Sequence, residues 1–201
     1  MRTIDVRSFD EQAVRVSVTV VAQISTGDLS APTPCDQWDL RHLLAHMTAQ
    51  HRGFAAAAAG RDGDRETWLP RTRTHNPIQA YAAAAESVIS AFAEPGVLER
   101  GFLLPEISPH PVPAGLAIGF HLVDYVAHGW DVANTIGVPY ELPEDVLAAA
   151  LPIAESVPDG EARRAPDAAF APRVPDPGEP ALDRFLALLG RSAHRSVVPG
   201  R

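Results

Sequence analysis

Cysteine is nearly absent: Cys35 is the only one in 201 residues, which excludes an internal disulfide and any zinc site built from several cysteines. A bound metal must therefore be held by His, Asp and Glu. Basic charge is also scarce. With 17 Lys and Arg against 25 Asp and Glu, the net charge is −8 and the pI near 5.4, and no basic run forms a local patch. Nucleic acid is not an expected partner. Long apolar runs are missing at the start, where MRTIDVRSFDEQAVRV interrupts every apolar stretch with charge. Neither a signal peptide nor a membrane span is expected there, and the expected location is the cytoplasm. Strand-like alternation is confined to residues 14–20, and no internal repeat is present. The length suits one ordinary domain with a short appended element.

What is present is helical punctuation. From Phe9 to Ile24 the apolar positions Val14, Val18, Val21 and Ile24 recur at helical spacing, although Val14, Val16, Val18 and Val20 also alternate. A helix is favoured, because Val21 and Ala22 break the alternation and no second strand is available to pair. Asp39 stands as an N-cap before a second helix over Leu40–Ala59 that ends at Gly60. IQAYAAAAESVISAFAE makes a third helix, stopped by Pro95 and Gly96. Residues 97–112 form a long irregular connection. Pro113 suits the first turn of a fourth helix and Gly137 its end. A shorter helix over Glu144–Glu155, a Pro-rich segment and a last helix ALDRFLALLGR complete the chain. The expected fold is all-α: a metal-binding four-helix bundle over residues 1–140, with a C-terminal helical extension over 141–201 packed on the same domain.

The chemistry gathers on the fourth helix. At about 100° per residue, His121, Asp124, His128 and Asp131 fall within an arc of about 80° on a helix apolar on its other sides. Buried carboxylates and imidazoles must be paired, neutralised or bound to a metal. Asp124 and His128, four apart, project together and can offer one oxygen and one nitrogen to the same ion. A third ligand must come from elsewhere. On the second helix His46 lies at the edge of the apolar stripe, with His42 and His51 as alternatives that spacing does not dismiss.

TPCDQWDLRHLLAHM and DYVAHGWDVANTIG closely resemble the N-terminal domain of mycothiol-dependent maleylpyruvate isomerases and the wider DinB-like bundles. FAPRVPDPGEPALDRFLALLGR resembles the closing segment of a compact actinobacterial subfamily of metal-binding proteins with this fold. The resemblance implies a DinB-like bundle whose metal ligands are His46, Asp124 and His128. It implies a divalent ion, zinc or alternatively nickel, and a thiol cofactor such as mycothiol. Two departures stand out: Asp124 replaces a glutamate, and the isomerase's separate C-terminal domain has no counterpart in this sequence.

Around that set, Asp131 is placed to accept the free N–H of a ligating imidazole. His121 and Tyr125 are candidates for proton transfer or ligand orientation at the site, with core packing as the alternative for both. Arg71 and Arg73 are candidates for receiving an anionic substrate or a thiol's carboxylate. Trp38 and Trp130 are expected in the core, and Cys35 as a buried, inert thiol with no base beside it. A three-ligand site with an open position is catalytic in kind. The leading expectation is a metal-dependent thiol transferase or isomerase acting on a small electrophilic substrate. The alternatives are thiol-independent, metal-assisted isomerisation, cyclisation or hydrolysis, and non-catalytic binding of metal or a small ligand. A homodimer is left open.

Overall fold

The computed structural model describes residues 5–35, 38–61, 65–165 and 168–192. Among these, six α-helices run in chain order: α1 Arg7–Val21, α2 Leu40–Ala58, α3 Pro77–Ala93, α4 Ala114–Ile136, α5 Glu144–Ser156 and α6 Ala181–Leu188. The first four make the DinB-like bundle, with α2 against α3, α1 against α4, and the α1–α3 and α2–α4 pairs closing the ring. No described helix is long and apolar enough to cross a membrane.

Local signals account for the helix ends. The Asp39 carboxylate accepts from the backbone N–H of His42 at 2.9 Å, capping α2. Asn76 does the same for α3 through Gln79 N–H at 3.1 Å, ahead of Pro77 in the first turn. Gly137 ends α4 in the left-handed region at φ 70°, where a side chain would be strained. The ambiguous valine segment is helical: Val14, Val20 and Val21 enter the core, and Ser17 bonds the Tyr81 hydroxyl at 2.5 Å. Burial of these side chains with Leu40, Leu43, Leu44, Met47, Tyr125 and Val132 supplies the apolar interior.

Three expectations need correction. Strand is not confined to residues 14–20, where none forms. Instead β1 Gly101–Phe102 pairs antiparallel with β2 Val112–Pro113 across the long connection. Two residues per strand leave no periodicity to read. Pro113, expected inside the fourth helix, is the last strand residue and caps α4 from outside. The last helix stops at Leu188 rather than Arg191, because Gly190 turns at φ 78°.

The contacts divide the chain into two compact units, Met1–Val146 and Leu147–Arg201, near the start of α5. The first has its core in the bundle. The second is organised by a buried arginine: the Arg163 guanidinium donates to the carbonyls of Pro158 at 2.8 Å, Leu188 at 2.7 Å, Ala171 at 3.1 Å and Val157 at 3.2 Å.

Candidate metal centre

His46 on α2 and Asp124 and His128 on α4 bring their donor atoms together, all within 4.8 Å of one another. His128 Nε2 is 3.3 Å from Asp124 Oδ1, and His46 Nε2 is 4.0 Å from Asp124 Oδ2. The two imidazoles meet edge to face, with ring centroids 5.3 Å apart. The side chains of His46 and Asp124 are 18% and 21% exposed against 5% for His128, so the cluster is rooted in the bundle and open on one side.

Its register rests on the residues beside the cluster. The Tyr125 hydroxyl, next to Asp124, donates to the carbonyl of Met47, next to His46, and so ties α4 to α2 at the level of the donors. Gly129, beside His128, has no side chain because the Tyr140 ring occupies that space: a Cβ there would lie 2.5 Å from the Tyr140 oxygen. Tyr140 in turn donates to the Tyr125 carbonyl at 3.3 Å.

The three donors have distinct electrostatics. Burial pushes the His46 imidazole down to about 4, against the opposing charge of Asp124, so at neutral pH it offers a lone pair. Burial disfavours charge on Asp124, but the neighbouring His128 charge outweighs it and holds the carboxyl at about 2. His128 is also opposed by burial, yet Asp124, Asp131 and Cys35 raise it well above the ordinary histidine value. Without a metal, His128 is therefore an imidazolium between two carboxylates. Its Nδ1 donates to Asp131 Oδ2 at 2.9 Å, which fixes the ring and points Nε2 at the cluster.

The other sequence candidates lie elsewhere. His42 is exposed and bonds Asp39 at 2.7 Å. His51 and His121 are fully buried and joined to each other at 3.1 Å, and His121 Nδ1 donates to Asp10 Oδ1 at 2.7 Å. None of these three is gathered with the cluster. Tyr125 is buried, its hydroxyl taken by Met47 and its ring stacked on His51 at 3.9 Å. Arg71 and Arg73 are both exposed, and Arg71 lines a groove with Arg41 and Arg52 that includes none of the three clustered residues.

Two aromatic and thiol expectations change. Trp130 is buried as expected, but Trp38 is only partly so, and its ring lies 4.6 Å from that of His46. Cys35 is half-buried and does have charged neighbours: its Sγ donates to Asp131 Oδ2 at 3.4 Å and lies 3.9 Å from His128 Nδ1. Cys35, His128 and Asp131 form a second set of close donor atoms sharing His128. The sequence signal for this was the TPC segment ahead of α2, whose reach to the far end of α4 no spacing rule supplies.

An all-α bundle with imidazole and carboxylate donors converging from two of its helices defines a class of metal-binding bundle proteins. Residues 11–133 match the mycothiol maleylpyruvate isomerase N-terminal domain, and the chain belongs to that family. Two uncharacterized proteins of Mycobacterium tuberculosis, one from each of two strains, are each 28% identical to it over 183 residues, covering 90% of this chain and 95% of theirs. No solved structure matches it.

Proposed function

We propose that His46, Asp124 and His128 hold a divalent metal ion and that the protein is a metal-dependent enzyme of the thiol transferase or isomerase type. Its thiol would be of the mycothiol kind, and its substrate a small electrophilic organic molecule. The observation that carries the reading is the convergence of three donor atoms at the open side of the bundle, with His128 locked by Asp131 so that Nε2 faces the other two. The donor set fits. Ligand atoms around a tetrahedral zinc with bonds of about 2.0–2.1 Å lie about 3.3 Å apart, close to the 3.3 and 4.0 Å separations from Asp124. Two imidazoles and one carboxylate suit zinc or nickel rather than magnesium or calcium.

When bound, such an ion lowers the pKa of a coordinated water or thiol and stabilises developing negative charge. The chain's own groups do the rest. His46, already neutral, needs no deprotonation. His128 must give up its Nε2 proton, while Asp131 retains the one on Nδ1 and prevents ring rotation. The Trp38 ring lies tilted against that of His46, with centroids 4.6 Å apart, and covers one side of that imidazole.

The test is reconstitution with cobalt, using wild type and the variants His46→Ala, Asp124→Ala and His128→Ala. Wild type is expected to hold about one equivalent after dialysis and each variant none, since removing one of three ligands leaves two. A low-molecular-weight thiol is expected to produce a sulfur-to-cobalt absorption band in the wild type alone. Stoichiometric metal in all three variants, or none in wild type, overturns the ligand assignment. Bound cobalt without any thiol response overturns the thiol part.

A further inference from the structure

The second set of donors, Cys35, His128 and Asp131, is drawn together closely. Cys35 Sγ is 3.9 Å from His128 Nδ1 and 3.4 Å from Asp131 Oδ2, and those last two atoms are 2.9 Å apart. A point about 2.0 Å from all three therefore exists in their plane, and a small shift out of that plane meets zinc bonds of about 2.0–2.2 Å to nitrogen and oxygen and about 2.3 Å to sulfur. The thiol is held by its own loop. The Cys35 backbone N–H donates to Thr33 Oγ1 at 3.2 Å, the Thr33 hydroxyl donates to the Trp38 carbonyl at 2.8 Å, and the Trp38 N–H donates back to the Cys35 carbonyl at 2.8 Å. Asp131 is fully buried and His128 nearly so, while Cys35 is half-buried and the most accessible of the three.

His128 turns Nε2 to Asp124 and Nδ1 to Cys35 and Asp131, so one imidazole faces two donor sets from its two ring nitrogens. An imidazole that has lost both ring protons can bridge two ions. The charges then close: two divalent ions carry four positive charges, and the Cys35 thiolate, the Asp124 and Asp131 carboxylates and the His128 imidazolate carry four negative ones, with His46 neutral. We propose that Cys35, His128 Nδ1 and Asp131 form a second metal site, for a thiophilic divalent ion such as zinc, bridged through the His128 ring to the first. The ion takes the place of the Nδ1 proton between the same atoms, and the thiol and Nδ1 protons go to solvent. This site is the weaker of the two, because its ion displaces the His128–Asp131 hydrogen bond. The bridge rests on the first centre as proposed above; the Cys35, His128 and Asp131 set does not.

The experiment is a cobalt titration of the full-length protein, without added thiol and without dialysis, followed by absorption, where only a bound thiolate gives a sulfur-to-cobalt band. The first equivalent is expected to give no such band and the second to give it. Cys35→Ser is expected to abolish the band and keep the first equivalent, which also shows that the variant folds. His46→Ala is expected to lose the first equivalent and keep the band. Asp131→Asn is expected to weaken the band-forming step about tenfold or more, because a charged ligand becomes a neutral one. The second site is overturned by the absence of a band in metal excess, by a band that survives Cys35→Ser, or by a band indifferent to Asp131→Asn, which would mean a thiol binding cobalt by itself. A band that comes with the first equivalent and disappears in His46→Ala overturns it too, since Cys35 would then be a ligand of the first ion. A Cys35-dependent band in a wild type that lacks the first equivalent overturns the first centre, and the bridge with it, while supporting the Cys35, His128 and Asp131 site.

Discussion

Two histidine–aspartate triads share the helices α2 and α4, and they have opposite fates. His46, Asp124 and His128 stand partly open, with imidazole nitrogens turned toward a common point. Asp10, His121 and His51 are at most 1% exposed and are joined through His121 in a chain of 2.7 and 3.1 Å contacts across α1, α4 and α2. Yet His121 is only three residues before Asp124, and His51 five after His46. Burial disfavours charge in both sets, pushing Asp10 up and His51 well below its ordinary value. The inner set is enclosed and linked through His121, while the outer one stands partly exposed at the His46 and Asp124 side chains. Residue type sets what a triad can do, and access decides which option it takes.

The widest separation between the two triads comes from His121→Ala. It leaves the Asp10 carboxylate buried with its partner gone, and Asp10 Oδ2 and His51 Nε2 already lack a partner among the described residues. A loss of about 3–5 kcal/mol in urea unfolding is expected, with metal stoichiometry unchanged. A loss below about 1 kcal/mol, or loss of the metal, would show that the inner chain is not a structural unit of its own.

A smaller effect is expected where the outer triad meets its support. Asp131→Asn keeps the shape but weakens the hold on His128 Nδ1, and metal affinity should fall about 10–100-fold while the unfolding midpoint moves little. Unchanged affinity in a competition assay with a chromogenic chelator would remove Asp131 from the site.

The smallest effect concerns protons. Because the His128 value is raised in the metal-free protein, binding at Nε2 must displace a proton at neutral pH. Affinity should therefore rise about tenfold per unit of pH up to the His128 pKa and level off above it. Calorimetry in buffers of different ionisation enthalpy should report about one proton released per metal ion. Proton uptake, or none at all, would mean that His128 does not ligate through Nε2.

Much of this architecture is legible along the chain. Asp39, Asn76 with Pro77, and Gly137 mark helix ends by local chemistry, and the four-residue step from Asp124 to His128 puts both on one face. The short β pair escaped because two residues carry no period. Cys35 escaped for a different reason. Its neighbours His128 and Asp131 are 93 and 96 residues away, and no local pattern encodes such a contact.

The sequence by itself therefore determined the helical elements, the family motifs and the supply of imidazole and carboxylate, since those follow from near-neighbour rules. Only the tertiary structure decided which histidines meet. His46, His51 and His121 look alike in a one-dimensional reading. The packing of α1 against α4 gives His121 to Asp10, while that of α2 against α4 gives His51 to His121 and His46 to the open cluster. Helix packing sets those distances, and a side chain's chemistry depends on what stands within a few ångströms of it.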